Sequence, residues 1–432
     1  MELKKYRLSE VASFEISNTD KKSKDGEAPI RLCNFTDVYY NWAITEGMSE
    51  SFMIATASDK QIQKLSLHKG QVAITKDSET RHDIGIPAYI ADDIENTVLG
   101  YHCALITPNP KMLDGRYLNA YLNSNLAKDY FANNASGSGM RYSLPIDAIK
   151  NIVLYLPSIE IQHQIGAIFS AIDRKIELNR EINRNLEAMA RQLYDYWFVQ
   201  FDFPDENGRP YKSSGGKMVW NERLKRYIPE GWVTKMIKEF AEIQRETCSP
   251  HTYLDTVYHH FSIPAFDKTG AYVLERGSEI QSDKFIITAD DILISKLNPW
   301  TSRVVWCGDY PDQVASTEFV VLRPNFEDRG YLYMVLKDPK LVVYASKGAT
   351  GTSNSHKRVN PEFLTAYRIP YELSVVSKFS RHISFIQTQL LKNRDEITQL
   401  IKQRDELLPL LMNGQVSVMQ PEINCDLSEL GR

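Results

Sequence analysis

Arginine, lysine and histidine side chains set in loops of small residues can donate to phosphate oxygens and to the acceptor edge of guanine. Two stretches of this 432-residue chain have that character. Between Asp129 and Asp147 the loop ASGSGMRYS carries Arg141 and Tyr142 and no acid. Between Asp338 and Glu362 lie Lys340, Lys347, His356, Lys357 and Arg358, again without an acid, around the loop ATGTSNSHKR. A second, weaker set of candidate DNA contacts, Lys76, Arg81, His82, Lys296, Trp300 and Arg303, follows two similar strand ends, AITK at 73–76 and LISK at 293–296. A basic loop is also commonly no more than a solvated one. The whole-chain balance of 51 basic against 55 acidic residues, a net charge of −4, does not advertise a polyanion partner, so any nucleic-acid surface is local.

Catalytic signatures are missing. There is no phosphate-binding G-x-x-x-x-G-K-[ST] loop, no H-E-x-x-H, no G-x-S-x-G and no glycine-rich dinucleotide turn. The base-methylating tetrapeptide Asn/Asp-Pro-Pro-aromatic is absent too. Leu297-Asn298-Pro299-Trp300 has one proline and reads as a turn. Pro311-Asp312 followed by Glu318 faintly resembles a nuclease carboxylate set, but Phe319-Val320 stand where a lysine is wanted. Cys33, Cys103, Cys248, Cys307 and Cys425 form no C-x-x-C pair, as suits a reducing compartment. Cys248 with His251 lacks the second half of a zinc site, so no metal is expected, and His259 and His260 read as strand or turn residues. The start MELKKYRLSEVASFEIS lacks a signal-peptide pattern, and nowhere do 18 apolar residues run together, so a cytoplasmic protein without a membrane partner is expected.

The elements that position these loops come in two copies. After Pro157 the chain enters SIEIQHQIGAIFSAIDRKIELNREINRNLEAMARQLYDYWF, which lacks proline. Its Ile161, Ile165, Ile168, Ile172, Ile182, Leu186, Met189 and Leu193 follow coiled-coil spacing, which predicts one long helix. After Tyr371 the pattern recurs through Val376, Phe379, Ile383, Ile386, Leu390, Ile397, Leu400, Leu407 and Leu411. Asn393 and Arg404 occupy its polar seam positions. Pro409 should disturb the last turn of this second helix, and Asn413-Gly414 should end it. A 214-residue shift sets Ile172 on Ile386, Asn179 on Asn393 and Leu186 on Leu400. The helix-pair seam is therefore expected at Ile165, Ile172, Asn179, Leu186 and Leu193 against Phe379, Ile386, Asn393, Leu400 and Leu407. The seam asparagines either fix register through a polar partner or lie at a solvated edge.

The expected fold is α+β. Two similar, mixed, strand-rich domains are separated by two long antiparallel coiled-coil helices of roughly 60 Å, and a pseudo-twofold repeat lies within one chain. The boundaries fall at 1–157 for the first domain, 158–200 for the first long helix, 201–231 for a connector, 232–374 for the second domain, 375–412 for the second long helix and 413–432 for a tail. The connector is dense in Pro, Gly, Ser and charge, and its Trp220, Tyr227 and Trp232 are expected to pack it onto a neighbouring surface.

This layout resembles the specificity (S) subunit of type I restriction-modification enzymes over essentially the whole length. LPSIEIQHQIGAIFSAIDRKIELNREINRNLEAMARQLYDYWFVQFDF is similar to the family's central conserved region, and RYIPEGW to the start of its second target-recognition domain. STEFVVLRP with the ATGTS loop is similar to that domain's interior, and LIKQRDELLPLLMNGQV to the distal conserved region. The resemblance implies a non-catalytic DNA reader without a cofactor of its own. Each target-recognition domain would take one half of a split, asymmetric sequence in double-stranded DNA, while the paired helices set the gap and dock two modification subunits. Those subunits use S-adenosylmethionine to methylate adenine, and restriction subunits add translocation and cleavage with ATP and Mg2+. The base-reading residues lie in the family's variable part and are not implied by it. A bivalent protein-binding scaffold without DNA contact suits two domains joined by long helices equally well.

Overall fold

The computed structural model describes residues 3–351 and 356–412. Asn413-Gly414, Cys425, the rest of the expected tail and the middle of the ATGTSNSHKR loop lie outside the described residues. The chain divides into two compact units. One holds the chain up to Asn179 together with the segment from Glu396 onward, and the other holds Arg180–Asp395.

In the first unit a five-stranded sheet runs in the order Ala12–Ile16, Cys103–Pro108, Val72–Thr75, Pro87–Ile90, Ala43–Ile44. A second sheet sets Ala28–Cys33 between antiparallel Met53–Ala57 and parallel Thr97–Leu99. The second unit repeats the scheme. Ala241–Gln244, Phe319–Pro324, Ile292–Ser295 and Val304–Trp306 form one sheet. In the other, Val257–Phe261 lies parallel to Gln313–Ser316 and antiparallel to Val273–Arg276. VAIT at 72–75 and ILIS at 292–295 are buried at every residue, which is why these central strands are short unbroken runs without polar alternation. Each unit also buries a core tyrosine whose hydroxyl donates to a backbone carbonyl. Tyr117 reaches the Tyr155 carbonyl at 3.5 Å and Tyr331 the Pro370 carbonyl at 2.6 Å. Burial of a phenol is tolerated because the hydroxyl keeps a partner.

The long helices are Ile159–Tyr194 and Leu373–Met412, 36 and 40 residues. Their segments run antiparallel within each unit. In the first, Lys175 pairs with Glu396 at 2.6 Å, while Phe169 packs on Trp42, whose ring lies under Arg404 at 4.5 Å. In the second, Asn183 meets Asn393, and Tyr194 and Phe198 meet Phe379. Both seam asparagines have polar partners. Asn179 donates to Glu396 at 2.8 Å, and Asn393 donates to Asn183 at 2.9 Å. Ile165, Phe379 and Ile386 are buried, and Ile172, Leu186, Leu193, Leu400 and Leu407 half-buried.

Two residues placed on the seam by spacing do not belong to it. Ile182 and Met189 are 39% and 57% exposed, because the covered stripe passes through Asn179, Asn183, Leu186 and Ala190 and leaves them on the outer face. Pro409 does not end the second helix, which continues to Met412. The proline itself is exposed, while Leu408 and Leu411 on either side are buried and hold the turn in place. Among the described residues no helix is long and apolar enough to cross a membrane.

The segment after the first long helix is folded into the second unit. Phe201, Phe203, Ile228 and Trp232 are buried in its core, and Met218–Asn221 pairs with Arg226–Pro229 as a hairpin. Trp232 packs as expected, but Trp220 and Tyr227 remain 48% and 59% exposed and pack edge to face on each other. They lie across from one another in the hairpin register, where cross-strand side chains meet on one face.

Gly330, in the helix Arg329–Leu336, sits where that helix crosses Leu373–Met412. A Cβ there would lie 2.7 Å from both Cα and the carbonyl oxygen of Ser380. Backbone cannot yield as a side chain can. Gly330→Ala is expected to cost about 1–3 kcal/mol through forced separation of the helices, read as a lowered denaturant midpoint with an unchanged m-value. A neutral result would show that the crossing is loosely packed.

Candidate nucleic-acid interface

In the first unit the buried strand Val72–Thr75 delivers Lys76 to its end. Asp77–Ser78 then pairs with Arg141–Ser143, which folds back on Ser136–Ser138. The Leu144 N–H donates to the Lys76 carbonyl at 2.6 Å, and the buried Leu144 side chain anchors the hairpin. Gly137, at φ +131°, is needed in it, since a Cβ would lie 2.1 Å from the Arg141 carbonyl oxygen. In the second unit Ile292–Ser295 delivers Lys296, and Ala349–Thr350 pairs with Arg358–Val359. The Val359 N–H donates to the Lys296 carbonyl at 3.0 Å, the Asn298 N–H to Lys357 at 2.8 Å, and the Lys357 N–H to the Asn298 side chain at 3.2 Å. The two sets of candidate loops therefore converge, in each unit, on one site.

The hairpin of the first unit walls an open groove of about 940 Å³ that includes Tyr39, Tyr40, Tyr101, His102, Asp77, Arg141 and Tyr142. Tyr40 and Tyr101 are 72% and 54% exposed. The basic character read from the linear loop does not hold in space. Asp77, Glu79 and Asp83 line the same groove, brought in from chain segments far from Arg141. The Tyr39 hydroxyl donates to Asp83, whose carboxylate pushes the phenol's pKa up to about 12. His102 adopts φ +70°, an uncommon conformation for a residue with a side chain, and its Nδ1 lies 2.5 Å from Asp77 Oδ2. Arg81 stands 5.8 Å from the Tyr142 ring centre, and His82 is exposed beside it in sequence.

In the second unit Trp300 is 45% exposed on the turn Pro299–Thr301, with Asn298 left-handed at φ 49° as the expected turn requires. Lys347 is exposed at the end of the helix Pro339–Lys347, where a cation also favours the helix dipole. Lys357 is half-buried and His356 exposed. Lys296 is half-buried against a groove of about 410 Å³ with Arg245, Asn360 and Glu362, and burial lowers the pKa of its ammonium. Arg303 is not available as a contact. Its guanidinium bonds Asp267 at 2.6 and 2.9 Å with the side chain only 14% exposed, an ion pair inside the unit. Arg358 is held by Glu318 through Nε at 2.9 Å and Nη2 at 2.9 Å, with the side chain 49% exposed. That cation keeps the Glu318 carboxyl below the usual range, which accounts for Glu318 without a nuclease role.

Tyr39, Tyr40, Tyr101, His102 and Asp83 escaped sequence reasoning, and Glu318 was read only as part of a faint nuclease set, not as the partner of Arg358. The repeat carries a signal for His102 and for the place of Glu318. The Lys76 N–H donates to the His102 carbonyl at 2.8 Å, and the Lys296 N–H to the Glu318 carbonyl at 2.8 Å, so extending the repeat alignment upstream of the two strands 103–108 and 319–324 reaches both. His259 and His260 lie in strand Val257–Phe261, and among the described residues no group of three His, Cys, Asp or Glu is placed to hold a metal ion.

Residues 2–188 match the family model of the type I restriction modification DNA specificity domain. The likeness to that family's model lies within the first 188 residues, less than half of the chain. The chain is 34% identical over 140 residues to the type I restriction enzyme HindI specificity subunit of Haemophilus influenzae, a match covering 32% of this chain and 30% of that one. It is 26% identical over 196 residues to the MjaIX specificity subunit of Methanocaldococcus jannaschii, covering 45% and 41%. The chain thus spans well under half the length of the curated relatives it matches. The crystal structure of the type I S subunit from M. genitalium shares the fold across 97% of both chains, at a TM-score of 0.58 and 14% identity. The S-subunit fold therefore extends past the region that the family model covers.

Proposed function

We propose that this chain is the sequence-specific DNA-recognition subunit of a type I restriction-modification complex in the cytoplasm, reading a bipartite, asymmetric target in double-stranded DNA. The observation that carries the proposal is that one site, a hairpin clamped to the end of a central strand, occurs once in each unit with different side chains. A reader of two unlike half-sites needs that combination of shared scaffold and divergent chemistry. The chain itself performs no catalysis and carries no cofactor. It docks two modification subunits, which use S-adenosylmethionine to methylate adenine, and restriction subunits, which use ATP and Mg2+.

Two measurements test this reading. Affinity for a duplex should fall as salt rises, because phosphate contacts release counterions. A salt-independent affinity, or none, would favour a protein-binding scaffold instead. Exchanging residues 1–157 for the equivalent domain of a relative should change one half of the methylated sequence in cells and leave the other intact. Change in both halves would count against independent readers.

A further inference from the structure

The site in each unit is built around one carboxylate paired with a nitrogen donor, and the two pairs have opposite outward chemistry. Lys76 and Lys296 make the same backbone bond, to His102 and Glu318 respectively, so His102 and Glu318 hold equivalent places. In the first unit the cationic or N–H-bearing partner stands at that place and the carboxylate faces it from the strand end. Asp77 is acceptor-only when ionised, so the His102 Nδ1 beside it must donate. The pair therefore presents carboxylate lone pairs to the groove, and Glu79 and Asp83 beside it oppose a second acceptor or a phosphate there. In the second unit the carboxylate stands at the shared place. Glu318 accepts from Nε and Nη2 of Arg358, and among the described residues Nη1 has no partner. A guanidinium fixed along one edge offers its other edge as a planar donor fork, and a fixed fork loses less freedom on binding than a mobile one.

Building on the DNA-reading function above, we propose that the two half-sites are read with opposite polarity. Arg358, oriented by Glu318, donates to the O6 and N7 of a guanine in the half read by the second unit. Asp77, oriented by His102, accepts from the exocyclic amino group of a cytosine or adenine in the half read by the first. Guanine alone presents two major-groove acceptors to a fork, and a carboxylate matches an amino donor. Glu318 and His102 are positioning residues.

The test maps methylated adenines genome-wide in cells carrying the full chain with its own modification subunits. Arg358→Ala and Arg358→Lys should each relax one guanine in one half by roughly ten-fold or more, since lysine keeps the charge and loses the fork. Glu318→Gln should relax the same position by less, with Arg358 still present. Asp77→Asn should relax one cytosine or adenine in the other half, and His102→Gln the same position more weakly. Melting of each purified variant confirms that it folds. A uniform loss of methylation at all sites by folded Arg358 variants would make Arg358 a phosphate contact and overturn the inference, as would an Asp77→Asn motif identical to wild type. Neither result touches the broader DNA-reading proposal, which fails only if the wild-type chain directs methylation to no defined sequence.

Discussion

Phe379→Ala is expected to destabilise the Arg180–Asp395 unit by about 3–5 kcal/mol. The ring is fully buried on the second long helix and meets Phe198 at 4.9 Å, Trp197 at 5.6 Å and Tyr194 at 6.2 Å between ring centres. Tyr331, from the helix beneath, meets it edge to face at 6.4 Å. Truncation removes the transfer free energy of the ring and leaves a cavity walled by rigid aromatic rings, which cannot collapse as an aliphatic pocket can. The same contacts join the long helices to the rest of the unit, so the loss should spread along them. Urea unfolding followed by tryptophan fluorescence measures it, with Trp197 as a local reporter. A cost under about 1 kcal/mol would mean that the cluster refills itself.

Asp291→Ala is expected to cost about 2–4 kcal/mol, toward the lower end of what breaking a buried ion pair costs because Arg323 remains 38% exposed. Asp291 is completely buried. It accepts from Nε and Nη2 of Arg323, both at 2.8 Å, and from the Thr288 N–H at 2.7 Å. The alanine removes the acceptor of that N–H as well as the guanidinium's partner, and hydrogen bonds to a charged group are the stronger ones to lose. Asp291→Asn should recover part of the loss, because its carbonyl oxygen still accepts one of these bonds while its amide nitrogen repeats a donor. Equal thermal midpoints for the two variants would show that charge, and not acceptor number, sets the cost. DNA recognition should be spared in both variants at temperatures where they are folded, since Asp291 lies at the end of the sheet strand Ile292–Ser295 away from Lys296.

Much of the fold was legible in the residues in order. The heptads of the two long helices, the 214-residue repeat and the strand ends AITK and LISK rest on local periodicity, and local periodicity is written directly in the chain. The choice of loops followed from the same repeat, and in each unit those loops do meet on one strand end. Spacing alone could not assign the outer face of the first long helix. A stripe of partners decides which of two adjacent apolar positions is covered, and Ile182 and Met189 lost to Asn183 and Ala190.

The chemistry of the site was decided by tertiary structure. Asp77 meets His102 across 25 positions, Glu318 meets Arg358 across 40, and Arg303 is withdrawn by Asp267 across 36. Loop sequence shows how many charges a segment holds, but a charge acts on its neighbours in space, and within a few ångströms one opposing carboxylate outweighs a distant net charge. The sequence by itself determined two repeated units, the helices that run through both, and which loops stand at the strand ends. Only the tertiary structure decided which cations remain free to donate and which acids face them, because sheet pairing brings those groups together from segments that carry no local trace of one another.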